Sequence, residues 1–265
     1  VSSVDIGLAG MAIMYALLAV PYGIMRILGV DLLRRTTVSI VRMTVQLALV
    51  GLYLKVIFDL NSVWLNGAWV LVMIVAANIT VMRNAGMRSR RFFAPGFIGI
   101  ALSTLSVTAV FVGLALSPEP LYDARYLIPI SGMILGNCLR ANIISLERFF
   151  SGLKAGRREY LACLLLGATK REATKPFRQS ALRAALAPLV ATMATLGLVS
   201  LPGMMTGQIL GGSFPLVAIQ YQIAIMIAIF TATSISTSLI LMLSMRTAFD
   251  AFGMVHEGVW AEAAR

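Results

Sequence analysis

Residues Phe149 to Pro188 read FFSGLKAGRREYLACLLLGATKREATKPFRQSALRAALAP, the only long polar interval in a chain of otherwise apolar segments. Lys and Arg occupy positions 154, 157, 158, 170, 171, 175, 178 and 183, against Glu159 and Glu172 alone. A first helix is expected from about Lys154 to Leu166, ending at Gly167, because glycine best tolerates the left-handed position after a helix end. Thr169 and Glu172 have the T-x-x-E spacing of a capping box, so a second helix should start near Lys170. Arg171, Lys175 and Arg178 fall at i, i+4 and i+7 and make one basic face. Such a face suits anionic lipid or a partner protein. The turn fixed by Gly167 and the capping box favours the partner, because lipid binding needs no fixed turn. Pro176 is expected to bend the second helix where it heads back toward the apolar segments. Helix, tight turn and helix on a basic loop make a docking element.

Composition places this loop in a membrane protein. Of the 265 residues 59% are hydrophobic and only 12% are charged, about half the charged fraction of a soluble domain; the mean hydropathy is +0.88. The net charge of +11 could indicate nucleic acid. The basic residues sit instead at segment ends and in short loops, as the positive-inside rule and a docking function require, so no nucleic-acid partner is expected. Cys138 falls in an apolar segment and Cys163 in the basic loop; neither has a partner at metal-ligand spacing, and both read as packing residues.

About 20 apolar residues are needed to cross a bilayer as a helix. Seven runs meet the requirement: Ile6–Met25, Val38–Phe58, Val63–Met82, Ala94–Leu116, Leu127–Leu146, Leu186–Leu210 and Pro215–Met245. The expected fold is therefore all-α, a single polytopic membrane domain over residues 1–265 with a coupling-helix loop at about 149–185 and a tail at 246–265. The first run follows Asp5 without a basic flank, so it is expected to be a retained span rather than a cleaved signal peptide. The chain opens on Val1, so an initiator Met and further residues are expected to precede it. Loop charge sets the orientation. With the amino terminus outside, the inner loops hold Arg26, Arg34, Arg35, Arg83, Arg88, Arg90 and Arg91 and the whole docking loop, while the outer loops hold only Arg125 beside Asp59, Glu119 and Asp123. The carboxyl terminus is then cytoplasmic.

Polar groups inside spans are costly and by default mark a pathway. Arg42 and Gln46 share a face of the second span, although Arg42 lies close enough to the inner end to snorkel. In the fifth span Asn137 and Arg140 (with Asn142) follow Gly132 and Gly136; Arg140 either lines a vestibule or pins the helix to a neighbour's carbonyls. Asn78 is suited to bonding across helices. The sixth span is interrupted by Gly197, Pro202, Gly203, Gly207 and Gly211, and broken backbone at membrane depth belongs where protein buries it or water reaches it. Ser200, Met204, Met205 and Gln208 flank that break, as transport path or, for the methionines, as packing beside a kink. No Cys/His/Asp/Glu cluster lies in any span, so a tight metal site is not expected. His256, with Asp250, Glu257 and Trp260, reads as a solvated, weakly helical tail.

Three stretches carry a family resemblance. Leu161 to Thr169, followed by Ala187-Pro188, falls on the E-A-A-x-x-x-G pattern of ABC-transporter permeases, with Leu161 at the family's Glu position. GLVSLPGMMTGQILGG (Gly197 to Gly212) and IPISGMILGN (Ile128 to Asn137) resemble the FetB-like permeases, membrane subunits of iron-export ABC transporters, and the related plant aluminium-tolerance permeases. The resemblance implies a bacterial inner-membrane homodimer paired with separate ATPase subunits, and export of iron. It implies ATPase coupling through Arg158, Glu159, Leu166, Gly167, Ala168, Thr169, Arg171 and Lys175. The chain has no G-x-x-x-x-G-K-[ST] loop, so ATP and Mg would be held by the partner and no cofactor by this chain. An importer permease or a lipid or small-molecule exporter shares the same docking pattern. A membrane-embedded enzyme would need a Ser/His pair, paired aspartates or a zinc set within the spans, and the one His lies in the tail.

Overall fold

The computed structural model describes residues 7–87, 90–250 and 253–256. In chain order its α-helices are α1 (Leu8–Ala16), α2 (Ala19–Ile27), α3 (Leu33–Leu60), α4 (Val63–Asn84), α5 (Phe93–Val110), α6 (Ala124–Ala155), α7 (Arg157–Leu165), α8 (Lys170–Ala173), α9 (Lys175–Thr195), α10 (Gly203–Leu210) and α11 (Pro215–Ala248). Among the described residues there is no strand beyond two isolated bridges. Six stretches are long and apolar enough to cross a membrane: α1 with α2, α3, α4, α5 with its π-helical extension to Leu116, α6 and α11. The seventh expected crossing, Leu186–Leu210, is built from two pieces. These are the end of α9 and the whole of α10, joined by a turn in which Gly197 takes φ +85°. A β-carbon would strain that backbone, and Pro202, in extended conformation, starts α10 afresh.

α6 runs further than the apolar pattern predicts. It starts where the Asp123 carboxylate accepts from the Arg125 N–H at 2.9 Å and continues without a break to Ala155. Its 32 residues make a rod of about 48 Å. That exceeds the hydrocarbon thickness by about 18 Å, so the last turns project from the bilayer and carry the basic loop. Lys154 thus belongs to the end of α6, and the first loop helix begins only at Arg157.

The core lies between α4, α5, α6 and α11. Val70, Ile74, Ile100, Leu146, Phe149, Ile240 and Leu241 are buried in one cluster. By contrast α1 and α2 bury no residue, and of the described residues of α3 only Ile57 is buried. The close packing depends on absent side chains. A β-carbon at Gly99 would stand 3.2 Å from the Ile240 backbone nitrogen, and one at Gly96 would collide with Asn78 Oδ1. Two buried amides are bonded across helices: Asn78 Nδ2 donates to Phe93 O at 2.9 Å, and Asn142 Nδ2 to Ser236 Oγ at 2.8 Å. Asn78 therefore bridges α4 and α5 as its position suggested.

Replacing Gly99 with Leu is expected to force α5 away from α11 at a cost of about 1–3 kcal/mol, the usual range for overpacking. A lower midpoint of thermal unfolding in detergent measures it; an unchanged midpoint would show that the two helices are not held at this distance.

Candidate functional site

The basic loop folds into a helical hairpin whose tip is locally determined. At the end of α7 the Gly167 N–H donates to Leu164 O and the Ala168 N–H to Cys163 O, both at 3.0 Å, with Gly167 at φ +88°. This is the Schellman pattern, and it needs the left-handed conformation glycine permits. The capping box follows at once. The Thr169 N–H donates to Glu172 Oε2 at 2.8 Å, and the Glu172 N–H donates to Thr169 Oγ1 at 3.3 Å. The Thr169 hydroxyl also donates to Glu172 Oε2 at 2.6 Å. Together with the backbone N–H, this hydroxyl holds the Glu172 carboxyl below its ordinary pKa. Pro176 stands in the first turn of α9, directly after Thr174 separates it from α8.

Leu165 and Leu166 stand on the tip at 89% and 88% exposure, an unusual position for two adjacent leucines in a charged loop. Arg158 and Glu159 are exposed on the first turn of α7, and Ala168 is half-buried. Arg171, Lys175 and Arg178 surround a groove of about 410 Å3 with Glu172, Gln179 and Leu182. Arg178 is partly engaged, its Nη2 donating to Arg171 O at 2.8 Å.

Behind the tip a strap escapes a reading of the sequence. Tyr160 is buried, and its hydroxyl donates to Gly253 O at 2.6 Å. Phe249 lies 5.9 Å from the Tyr160 ring, and Lys170 Nζ lies 5.4 Å from the Phe249 ring centre. Burial, then the Asp250 carboxylate, push the Tyr160 phenol above its ordinary pKa. The described residues after α11, 249–250 and 253–256, are therefore not weakly helical. They turn back through a bridge between Phe249 and Val255, with the His256 N–H donating to Ala248 O at 3.0 Å. Glu257 and Trp260 lie outside the described residues, as do Arg88, Arg265 and Asp5.

The polar residues expected along a transport path separate into three places. Asn137 and Arg140 of α6 meet Pro188 and Thr192 of α9 and Met226 and Thr233 of α11 around a cavity of about 220 Å3. Met204, Met205 and Gln208 lie together on α10. Met204 packs against the cluster of Phe111, Ile134 and Ile225, and Gln208 Oε1 is buried without a partner among the described residues. Ser200 is exposed in the turn before α10, its carbonyl accepting from the Gly197 N–H at 3.0 Å. Arg42 and Gln46 are exposed on α3 and do not line the cavity. Thr192 and Thr233 carry no mark in the sequence, because threonine in an apolar helix ordinarily bonds its own backbone. Thr192 does so, donating to Pro188 O at 2.9 Å. Among the described residues no group of three or more His, Cys, Asp or Glu could hold a metal ion.

These features define a polytopic, all-helical membrane protein with an apolar bundle, a cavity bearing Asn137 and Arg140, and a structured basic hairpin. The uncharacterised protein family UPF0014 matches residues 8–249, and the chain belongs to that family. Over 200 residues it is 38% identical to a UPF0014 membrane protein of Synechocystis, covering 74% of this chain and 76% of the relative. It is 36% identical over 202 residues to Protein ALUMINUM SENSITIVE 3 of Arabidopsis thaliana, covering 75% and 71%. It is 33% identical over 215 residues to the Probable iron export permease protein FetB of Escherichia coli, covering 80% of each. No solved structure matches the chain.

The capping box makes the hairpin sensitive to acid. Because folding lowers the Glu172 pKa, the box is intact above the ordinary carboxylate pKa and is lost as pH falls through the lowered value. An NMR titration of the Glu172 carboxyl should show a midpoint below that of a free glutamate. Thr169→Val should bring it back toward the ordinary value, and identical midpoints in both proteins would contradict the box.

Proposed function

We propose that this chain is the membrane subunit of an ABC transporter that exports metal, iron in the first instance, as a homodimer driven by separate ATPase subunits. The observation that carries the reading is the hairpin tip. Two leucines are held out on a turn fixed by the Gly167 Schellman motif and the Thr169–Glu172 capping box, beside a basic groove. Exposed leucines on an ordered, charged surface are costly unless a partner covers them. An apolar knob on a hairpin that also carries Arg158, Arg171 and Lys175 suits a socket with an acidic rim better than a lipid surface. The chain has no P-loop of its own, so hydrolysis would be supplied from outside. The iron assignment comes from the name of the Escherichia coli relative, and the described residues add no cluster of His, Cys, Asp or Glu that would choose a metal. In this reading the amino terminus is outside, the hairpin is cytoplasmic, and the membrane is the bacterial inner membrane.

ATP-driven closure of the partner would move the hairpin, and α6 and α9, which flank it, would carry the movement into the bundle. Asn137 and Arg140 then belong to the path. Met204, Met205 and Gln208 form its wall near the broken segment. Arg42 and Gln46 lie on the surface left for lipid or the second copy.

Purification through a tag on this chain should recover a nucleotide-binding subunit with ATPase activity. Gly167→Arg, which places a side chain on a backbone at φ +88°, should reduce both recovery and hydrolysis several-fold while leaving the helical content unchanged. Absence of an ATPase from the native preparation, or equal recovery with the variant, would remove the docking reading.

A further inference from the structure

Several polar groups at membrane depth have no partner among the described residues, and Arg140 is the charged one of them that lines a cavity. Among the described residues its guanidinium has no hydrogen-bond or ion-pair partner, yet it lines the cavity between α6, α9 and α11. It lies six residues before Leu146, about 9 Å along the helix from the nearer end of the apolar run. Snorkelling to that end is disfavoured, because side chains on a helix lean toward its N-terminus. Arg140 therefore leans back toward mid-membrane. Arg42 shows the contrast. It lies four residues after Val38, about 6 Å inside the near end, and its lean carries it out toward that end. The same residue type is readily accommodated in α3 and demands a partner in α6.

The cavity supplies the wrong partners for a bare metal ion. Among the described residues its walls contain one cation and no carboxylate, thiolate or imidazole. Asn137 uses one amide proton on Met133 O at 2.9 Å and keeps the other, and the Thr192 and Thr233 hydroxyls stand on the facing helices. A divalent cation entering here would meet an unneutralised guanidinium in a poorly screened setting. A planar guanidinium matches carboxylate or phosphate oxygens with two parallel bonds. The space, about 220 Å3, corresponds to roughly seven water volumes, enough for a small organic acid or a phosphate.

We infer that this cavity is an oxyanion site, with Arg140 as the anion-holding group and Asn137 as a second donor. Its occupant is a carboxylate or phosphate compound, taken alone or as the ligand shell of a metal ion. This rests on the reading of the chain as a transport subunit and sharpens it. If metal is the cargo, it passes as an anionic complex rather than as a naked cation, which reconciles metal export with spans that hold, among the described residues, no cluster of His, Cys, Asp or Glu for a metal ion.

The test is equilibrium binding to the purified full chain in lipid nanodiscs, by calorimetry, with four probes: citrate, inorganic phosphate, ferric citrate and ferrous ion. Native protein should bind at least one of the three anions, more weakly as salt rises, and ferrous ion should show no dependence on Arg140. Arg140→Gln should weaken anion binding by about tenfold or more, the value of a charge-assisted contact, and Arg140→Lys should recover part of it. Arg140 is exposed, so neither change empties the core, and native elution on size exclusion checks the fold. Binding of citrate and ferric citrate alike makes the organic acid the recognised species. Ferric citrate alone makes it the metal complex, and phosphate alone makes it a phosphate compound. No anion bound by native protein, equal binding by Arg140→Gln, or ferrous binding that improves in Arg140→Gln would overturn the site. The assay needs no ATPase, so the two readings fail separately. An ATPase that co-purifies with a chain that binds no anion removes only the site, and Arg140-dependent binding without an ATPase removes only the docking partner.

Discussion

Lipid offers no hydrogen-bond partner, so each polar group at membrane depth must be answered by the helices or by something they admit between them. Part of this chain takes the first option. Asn78 reaches the Phe93 carbonyl and Asn142 reaches Ser236. Ser103 and Thr237 turn their hydroxyls onto carbonyls one turn back in their own helices. The α4–α5–α6–α11 bundle can then close tightly, with Gly96 and Gly99 removing the bulk that would hold the helices apart. The second option applies along α9, which borders the cavity of Arg140 and ends at the turn around Gly197. Both departures from a sealed interior are thus attached to the helix that grows out of the basic hairpin.

What the sequence makes legible follows from how local each feature is. The hairpin tip depends on hydrogen bonds spanning five residues or fewer, and Gly167, Thr169 and Glu172 spell it out. The interruption around Gly197 and Pro202 is equally local. The long apolar runs announce helices because nothing else satisfies backbone in lipid. The extent of α6 was less legible: hydropathy falls after Leu146, but the helix continues through Gly152 to Ala155 because Phe149, Phe150 and Leu153 pack into the core.

Tertiary pairings left the weakest traces. Arg42 and Arg140 look alike in a sequence, each a lone arginine in an apolar run, and only their depth and the packing around them divide them. Thr192 and Thr233 become notable because α9 and α11 bring them opposite Asn137. Met204, read from the sequence as path or as packing beside a kink, packs against the cluster of Phe111 and Ile134. The Tyr160 strap has no pattern to betray it, since its partner is a backbone carbonyl 93 residues away.

That strap changes the mechanics of the hairpin. Through Tyr160, Gly253, Phe249 and Lys170, the tip is tied to the end of α11 as well as being continuous with α6 and α9. A load applied at Leu165 and Leu166 thus enters three rods at once. One of them, α11, is a stiff arm on which Thr233 sits about 22 Å from Ala248. A hairpin hung from two helices could swivel about its own hinges and dissipate a push. One braced by a third behaves as a truss, in which rotation of the tip becomes displacement at the walls of the cavity.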